Sequence, residues 1–210
     1  MWLRAVSAIF CVLISGQSLA DKWIVLGDSI SAAYGIEPDQ GWVHLFDQRL
    51  NEQITSDHEV VNASISGETT GGGLARLPNL LDSHPDAEWI IIELGGNDGL
   101  RGYPIGSMRD NLRQMVSVSQ QRQINVILVG MQIPPNYGPR YTRQFRDSYD
   151  LVATEFNVPL VEVFLETVAL EPGMMQDDGI HPTAEAQPML LDNIWTVIEA
   201  ELLLSSIDDA

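Results

Sequence analysis

Five short apolar runs constrain this chain more than any other feature: Trp23–Leu26, Val60–Asn62, Trp89–Leu94, Val126–Val129 and Pro159–Phe164. Most are continuous rather than alternating, the pattern of strands buried on both faces of a parallel sheet. Between them lie amphipathic stretches at Trp42–Ile54, Leu74–Leu81, Ser107–Arg122 and Tyr141–Phe156, with a last one from about Ala184 to Leu204. Parallel neighbours need a crossover long enough to hold a helix, and such crossovers are right-handed. The expected fold is therefore α/β, a three-layer α/β/α sandwich on a five-stranded parallel sheet. No Pro/Gly/Ser-rich linker, repeat or low-complexity segment interrupts the alternation, so the sequence reads as one domain ending in a frayed acidic tail from Ser205 to Ala210.

The first twenty residues stand apart from this pattern. Met1 to Arg4 carries one positive charge, Ala5 to Ile14 is an unbroken run of apolar and small residues, and Ser18-Leu19-Ala20 places small side chains where a signal peptidase reads them. The expectation is a signal peptide over residues 1–20, cleaved after Ala20, followed by a single domain over residues 21–210. An apolar run this short cannot span a bilayer, which takes about 20 residues, so stable membrane insertion is not expected. Cys11, the one cysteine, lies inside that run behind Phe10, without the small residue that a lipid-attachment site needs. Cleavage leaves a cysteine-free chain, which excludes a thiol nucleophile and suits a bacterial periplasm or the medium.

Twenty-nine acidic residues against eleven basic ones give a formal charge of −18, one unit more negative once Arg4 is removed. Such a surface cannot neutralise phosphates along a continuous face, so nucleic acid is excluded as a partner and adhesion to anionic lipid headgroups is disfavoured.

Chemistry concentrates in four segments. In Asp178-Gly179-Ile180-His181-Pro182 the carboxylate and imidazole can meet within one loop, because Gly179 permits a tight turn and Pro182 pins the backbone beyond the histidine. In Gly27-Asp28-Ser29 a serine sits on a turn just after an apolar strand. Ser29, His181 and Asp178 thus form a nucleophile, base and orienting acid. Asp177 is one residue further from His181 than Asp178 and is the weaker choice. Gly67, in Ser66-Gly67-Glu68-Thr69, and Asn97, in Gly95-Gly96-Asn97-Asp98, offer a backbone N–H and a side-chain amide to an oxyanion, with the Ser29 N–H as a third donor. Taken singly, each has a blander reading, as a helix cap, a loop histidine or a turn residue. Taken together, Ser29, Gly67 and Asn97 follow the first three strands and so share the carboxyl edge of the sheet, where ligand crevices form. Ser31, which stands where the α/β-hydrolase elbow has its second glycine, reads as a helix cap.

These four segments resemble the sequence blocks of the SGNH (GDSL-type) hydrolases. Asn62 to Thr69, Leu74 to Pro78, Glu93 to Gly102 and Met175 to Pro182 resemble in particular the bacterial periplasmic branch of acyl-CoA thioesterase I, lysophospholipase L1 and arylesterase. The resemblance spans nearly the whole chain beyond residue 20. It implies a flavodoxin-like sheet of order 2-1-3-4-5, with Ser29 as nucleophile, His181 as general base and then acid, Asp178 as orienting carboxylate, and an oxyanion hole of Ser29, Gly67 and Asn97. It implies a monomeric hydrolase of acyl esters, acyl thioesters or lysophospholipids that needs no metal or organic cofactor.

Other features carry less. Gly71-Gly72-Gly73 lacks the Lys-Ser/Thr of a phosphate cradle and reads as a flexible lead-in to a helix. His44, His58 and His84 have no metal-ligand spacing and read as surface or capping residues. Asn62-Ala63-Ser64 is a formal glycosylation sequon at a strand end. Leu100, Tyr103, Ile133 and Pro134 lie on loops after strands three and four and are candidates for lining an acyl groove. A carbohydrate acetylesterase of the same fold is the nearest alternative, and a non-catalytic flavodoxin-like binding module the more distant one.

Overall fold

The computed structural model describes residues 21–53 and 57–208, with side chains to residue 204; the expected signal peptide, Ile54 and the last two residues of the tail lie outside it. Strands β1 (Lys22–Gly27), β2 (Glu59–Asn62), β3 (Ala87–Glu93), β4 (Asn125–Val129) and β5 (Leu160–Val161) form one parallel sheet of order β2-β1-β3-β4-β5. The helices are α1 (Trp42–Gln53), α2 (Thr70–Ser83), α3 (Gly96–Leu100), α4 (Ile105–Gln121), α5 (Pro139–Phe156) and α6 (Gln187–Asp208).

The period of two along each strand sorts the core into two layers. Ile24, Leu26, Ile90, Ile92, Val126 and Leu128 meet α2, α4 and α5, whereas Trp23, Val25, Trp89, Ile91, Ile127 and Val129 meet α1 and α6. Strands β1 and β3 are buried along nearly their whole length because both faces are covered, which is why their sequence reads as a run rather than an alternation. Edge strand β2 is only half-buried. Trp23 is fully buried, stacked on Trp89 at 4.8 Å and edge-on to Phe46 at 5.3 Å. Truncating it to alanine would cost about 3–5 kcal/mol, a large share of a typical domain's stability.

The elements depart from the sequence reading at their ends. Helix α2 begins at Thr70 rather than Leu74, since Thr69 accepts a hydrogen bond from the Gly72 N–H and caps it, so the glycine run is its first turn. The fifth strand holds only Leu160 and Val161, because the chain turns away once Phe164 N–H bonds Gly130 O. Helix α6 runs on through Asp208, where a frayed tail was expected after Leu204. Among the described residues no helix is long and apolar enough to cross a membrane.

Register is what brings the motifs together. Gly27 at the end of β1 lies opposite Glu93 at the end of β3. Beyond β2, Ala63 N–H and Ile65 N–H bond Val25 O and Gly27 O, carrying the chain toward Gly67 along the end of β1.

Candidate active site

His181 Nε2 lies 2.9 Å from Ser29 Oγ, and His181 Nδ1 lies 2.6 Å from Asp178 Oδ2, across a separation of 152 residues between serine and histidine. Asp178 Oδ1 accepts from the backbone N–H groups of Ile180 at 2.9 Å and His181 at 3.0 Å. Gly179, at φ +66°, supplies the turn that aims both donors at the carboxylate. Those backbone and imidazole hydrogen bonds, that of the His181 N–H first among them, hold Asp178 down at about 2. An ionised carboxylate only accepts, so Nδ1 carries the imidazole proton and Nε2 is left bare to accept from the serine hydroxyl. Tyr34 packs its ring on the imidazole at a centroid distance of 4.4 Å. Gln176 ties the two loops together, its Nε2 donating to Tyr34 O at 2.8 Å and Pro182 O at 2.9 Å.

The other side of the serine is built from Asp28, Asn97, Arg101 and Gly67. Asp28 is buried; its Oδ1 accepts from Ile30 N–H at 3.1 Å and its Oδ2 from Asn97 Nδ2 at 3.0 Å. Arg101 Nη2 donates to Gly67 O at 2.9 Å and approaches Asn97 Oδ1 at 3.5 Å. The Asn97 amide is therefore held between an acceptor-only carboxylate and a donor-only guanidinium, which fixes which end is nitrogen. One Nδ2 hydrogen goes to Asp28 and the other remains available. Among the described residues neither Ser29 N–H nor Gly67 N–H enters a hydrogen bond within the protein. Burial pushes Asp28 up to about 6, opposed by the hydrogen bonds from Ile30 and Asn97.

Deeper support comes from two carboxyl groups. Asp98 accepts from Thr70 N–H at 2.8 Å and Thr70 Oγ1 at 2.7 Å, which locks the start of α2 and the Gly67 loop before it onto α3. Glu93, fully buried, accepts from Ser31 Oγ at 2.6 Å and Asp28 N–H at 3.2 Å. Ser31 thus binds Glu93 and caps no helix, correcting the expectation; the chain beyond it is a series of turns. Asp28, Glu93, Arg101, Tyr34 and Gln176 were not singled out from the sequence, although a glutamate closing the apolar run Ile90-Ile91-Ile92 is itself a sign of a burdened position.

Of the groove candidates, Tyr103 and Pro134 are exposed and Leu100 is half-buried, whereas Ile133 is buried in the core against Gly99. The loops are joined there by Tyr137 and Tyr141, whose hydroxyls donate to Leu100 O and Tyr103 O, each at 2.8 Å. His44 pairs with Gln48 at 3.0 Å, and His84 closes α2 through its N–H. His58, expected at the surface or in a capping role, is buried, with its backbone clasped by Asn51.

A bare imidazole nitrogen on a serine hydroxyl, placed at the carboxyl edge of a parallel sheet beside unspent N–H groups, defines a serine hydrolase of α/β/α architecture. The comparisons agree. Residues 25–187 match the GDSL-like Lipase/Acylhydrolase family. Esterase TesA of Pseudomonas aeruginosa is 49% identical over 90% of this chain and 92% of its own length. The Escherichia coli protein named thioesterase 1/protease 1/lysophospholipase L1 is 44% identical over 94% of this chain and 92% of its own. The crystal structure of the psychrotrophic esterase EstA from Pseudoalteromonas, inhibited by monoethylphosphonate, superposes with a TM-score of 0.82 at 40% identity, covering 87% of this chain and 98% of that one. This chain belongs to the GDSL-like lipase/acylhydrolase family, and it is an enzyme; the binding-module alternative is set aside.

Proposed function

We propose that the protein cleaves carboxylic ester and thioester bonds of acyl substrates through an acyl-enzyme on Ser29. His181 Nε2 takes the Ser29 proton as Oγ bonds to the substrate carbonyl carbon, and the Nδ1–H to Asp178 stabilises the resulting imidazolium. The carbonyl oxygen, now negative, is received by Ser29 N–H, Gly67 N–H and the free Asn97 Nδ2 hydrogen. The imidazolium then protonates the departing alkoxide or thiolate. Water enters, gives its proton to His181 and releases the carboxylic acid, restoring Ser29. The observation that carries this reading is the 2.9 Å contact of His181 Nε2 with Ser29 Oγ.

Leu100, Tyr103 and Pro134 would meet the acyl chain, each buried methylene contributing about 0.8 kcal/mol. Relatives named thioesterase 1/protease 1/lysophospholipase L1 and arylesterase support small acyl esters, thioesters and lysophospholipids as the substrate class. The constellation is complete within one chain, which supports a working monomer. Cleavage after Ala20 would spare all of β1, which begins at Lys22, in keeping with export to the periplasm or medium; mass spectrometry of the exported protein should find Asp21 at its N-terminus.

The test is hydrolysis of p-nitrophenyl esters from acetyl to palmitoyl, with EDTA present, by the wild-type protein and Ser29→Ala. Loss of about 10⁶ in turnover is expected for the variant. Activity surviving in Ser29→Ala would refute the nucleophile, and activity confined to acetyl esters would favour a carbohydrate deacetylase.

A further inference from the structure

Three carboxyl groups are buried around the serine, and their oxygens are not equally served. Both oxygens of Asp28 accept hydrogen bonds, from Ile30 N–H and Asn97 Nδ2. Both oxygens of Asp98 accept as well, from the two donors of Thr70. Glu93 differs: Oε2 accepts from Ser31 Oγ and Asp28 N–H, while Oε1 is buried without a hydrogen-bond partner. A carboxylate in that position would leave half its charge on an unsolvated oxygen. A carboxylic acid leaves only a neutral hydroxyl unmet, which is much the cheaper state.

The position is also sterically committed. A Cβ on Gly27 would come within 2.7 Å of Glu93 Oε2 and 2.6 Å of Ser31 Cβ, so the glycine of the Gly27-Asp28-Ser29 turn makes room for the glutamate. Glu93 therefore grips that turn from beneath, at the residues on either side of Ser29.

We propose that Glu93 is a positioning residue that works as a neutral carboxylic acid, clamping the nucleophile turn through Asp28 N–H and Ser31 Oγ. This rests on Ser29 being the nucleophile and extends it. Neutrality matters because Asp28, both of whose oxygens accept hydrogen bonds, already carries a charge above about pH 6. A second negative charge behind Ser29 N–H and Asn97 would oppose the oxyanion those groups must attract. The ionisable groups facing Glu93 discourage its charge or leave it unmatched: Asp28 from the turn after β1, and Tyr149 from α5, whose hydroxyl is spent on Leu94 O at 3.0 Å. Burial, reinforced by the charge of Asp28, pushes Glu93 well above the ordinary glutamate range.

Glu93→Gln copies the neutral acid, its carbonyl oxygen taking both donors, whereas Glu93→Leu keeps the size and removes the clamp. On p-nitrophenyl butyrate at pH 7, Glu93→Gln is expected to keep kcat within about threefold of wild type, and Glu93→Leu to lose about tenfold or more in kcat with KM little changed. Should Glu93→Leu fail to fold by circular dichroism, Ser31→Ala, which removes one donor alone, is expected to lower kcat by about threefold. Thermal melting supplies an independent arm. A carboxyl whose folded pKa is raised loses its stabilising contribution as pH rises from the unfolded glutamate value of about 4.3, so the melting temperature of Glu93→Gln relative to wild type should climb as pH rises above that value. A Gln variant as slow as the Leu variant, or a melting difference that stays flat or falls with pH, overturns the proposal. Hydrolysis surviving Ser29→Ala would overturn the nucleophile assignment instead, and the melting arm would still report whether Glu93 is neutral.

Discussion

The two sides of Ser29 are built by opposite means. On one side the histidine and its acid ride on the long irregular stretch between β5 and α6, with Asp178 exposed and held by donors two and three residues along the chain. On the other, Asp28, Asn97, Gly67 and Arg101 come from three different strand ends and are cross-linked over separations of 34 to 69 residues, with Asp28 buried. The difference follows from what each side must do. A proton relay needs two partners at hydrogen-bond distance, which one local turn can arrange. An oxyanion site must already be oriented before charge develops, since dipoles that reorganise during the reaction give back much of what they contribute. The sheet supplies that rigidity, and burial supplies the low dielectric in which those dipoles count.

The largest effects should come from the local side. His181→Ala is expected to cost about 10⁶ in kcat and Asp178→Ala about 10⁴, measured on the same esters as Ser29→Ala. An Asp178 variant with near wild-type turnover would show that Asp177 or solvent can orient the imidazole.

On the buried side, Asn97→Ala and Asp28→Asn are each expected to lose about 10²–10³ in kcat. The second variant sharpens the comparison, because it touches neither substrate nor oxyanion. Its amide has one oxygen for two donors, so either Ile30 N–H or the Asn97 amide loses its acceptor and is set against an NH2 group. If Asp28→Asn is much milder than Asn97→Ala, the carboxylate does not orient the amide.

Titration offers a direct contrast. Carboxyl-carbon NMR should find Asp28 at about 6 and Asp178 at about 2, on opposite sides of the ordinary aspartate value of about 3.9. The signs run oppositely for stability as well. The contribution of Asp28 is complete below about 3.9 and lost as pH rises through about 6, while that of Asp178 is complete above about 3.9 and lost as pH falls through about 2. Coincident midpoints would erase the distinction between the two sides.

The smallest expected effect is that of Arg101→Ala. Its guanidinium is exposed and screened, so about a threefold to tenfold loss in kcat is expected, with Arg101→Lys intermediate because an ammonium cannot fork between Gly67 O and Asn97 Oδ1 with the same reach.

What could be read from the chain itself tracks this division. Asp178 and His181 are three residues apart, and their interplay is written in Gly179 and Pro182, so the local side was legible before any fold was known. The layer order was legible too, because burial on both faces leaves a continuous apolar run in β1, β3 and β4. Element ends were less so: the first turn of α2 hides in a glycine run stabilised by Thr69 from outside and by Asp98 from another strand end, and α3 is too short to show a period. Glu93 has no local partner that would mark it, and the Gly67 O that Arg101 holds lies 34 residues away; Glu93 stands out only as a polar residue where the sheet is driest. The sequence by itself determined which residues are chemically able to act, and through the period of its apolar runs, the sheet on which they stand. Only the tertiary structure decided how Asn97 is oriented, why Gly27 must be a glycine and which buried carboxyl oxygen goes without a hydrogen-bond partner. Those depend on the β1–β3 register, and a register is settled by packing across the sheet, not by any residue's neighbours along the chain.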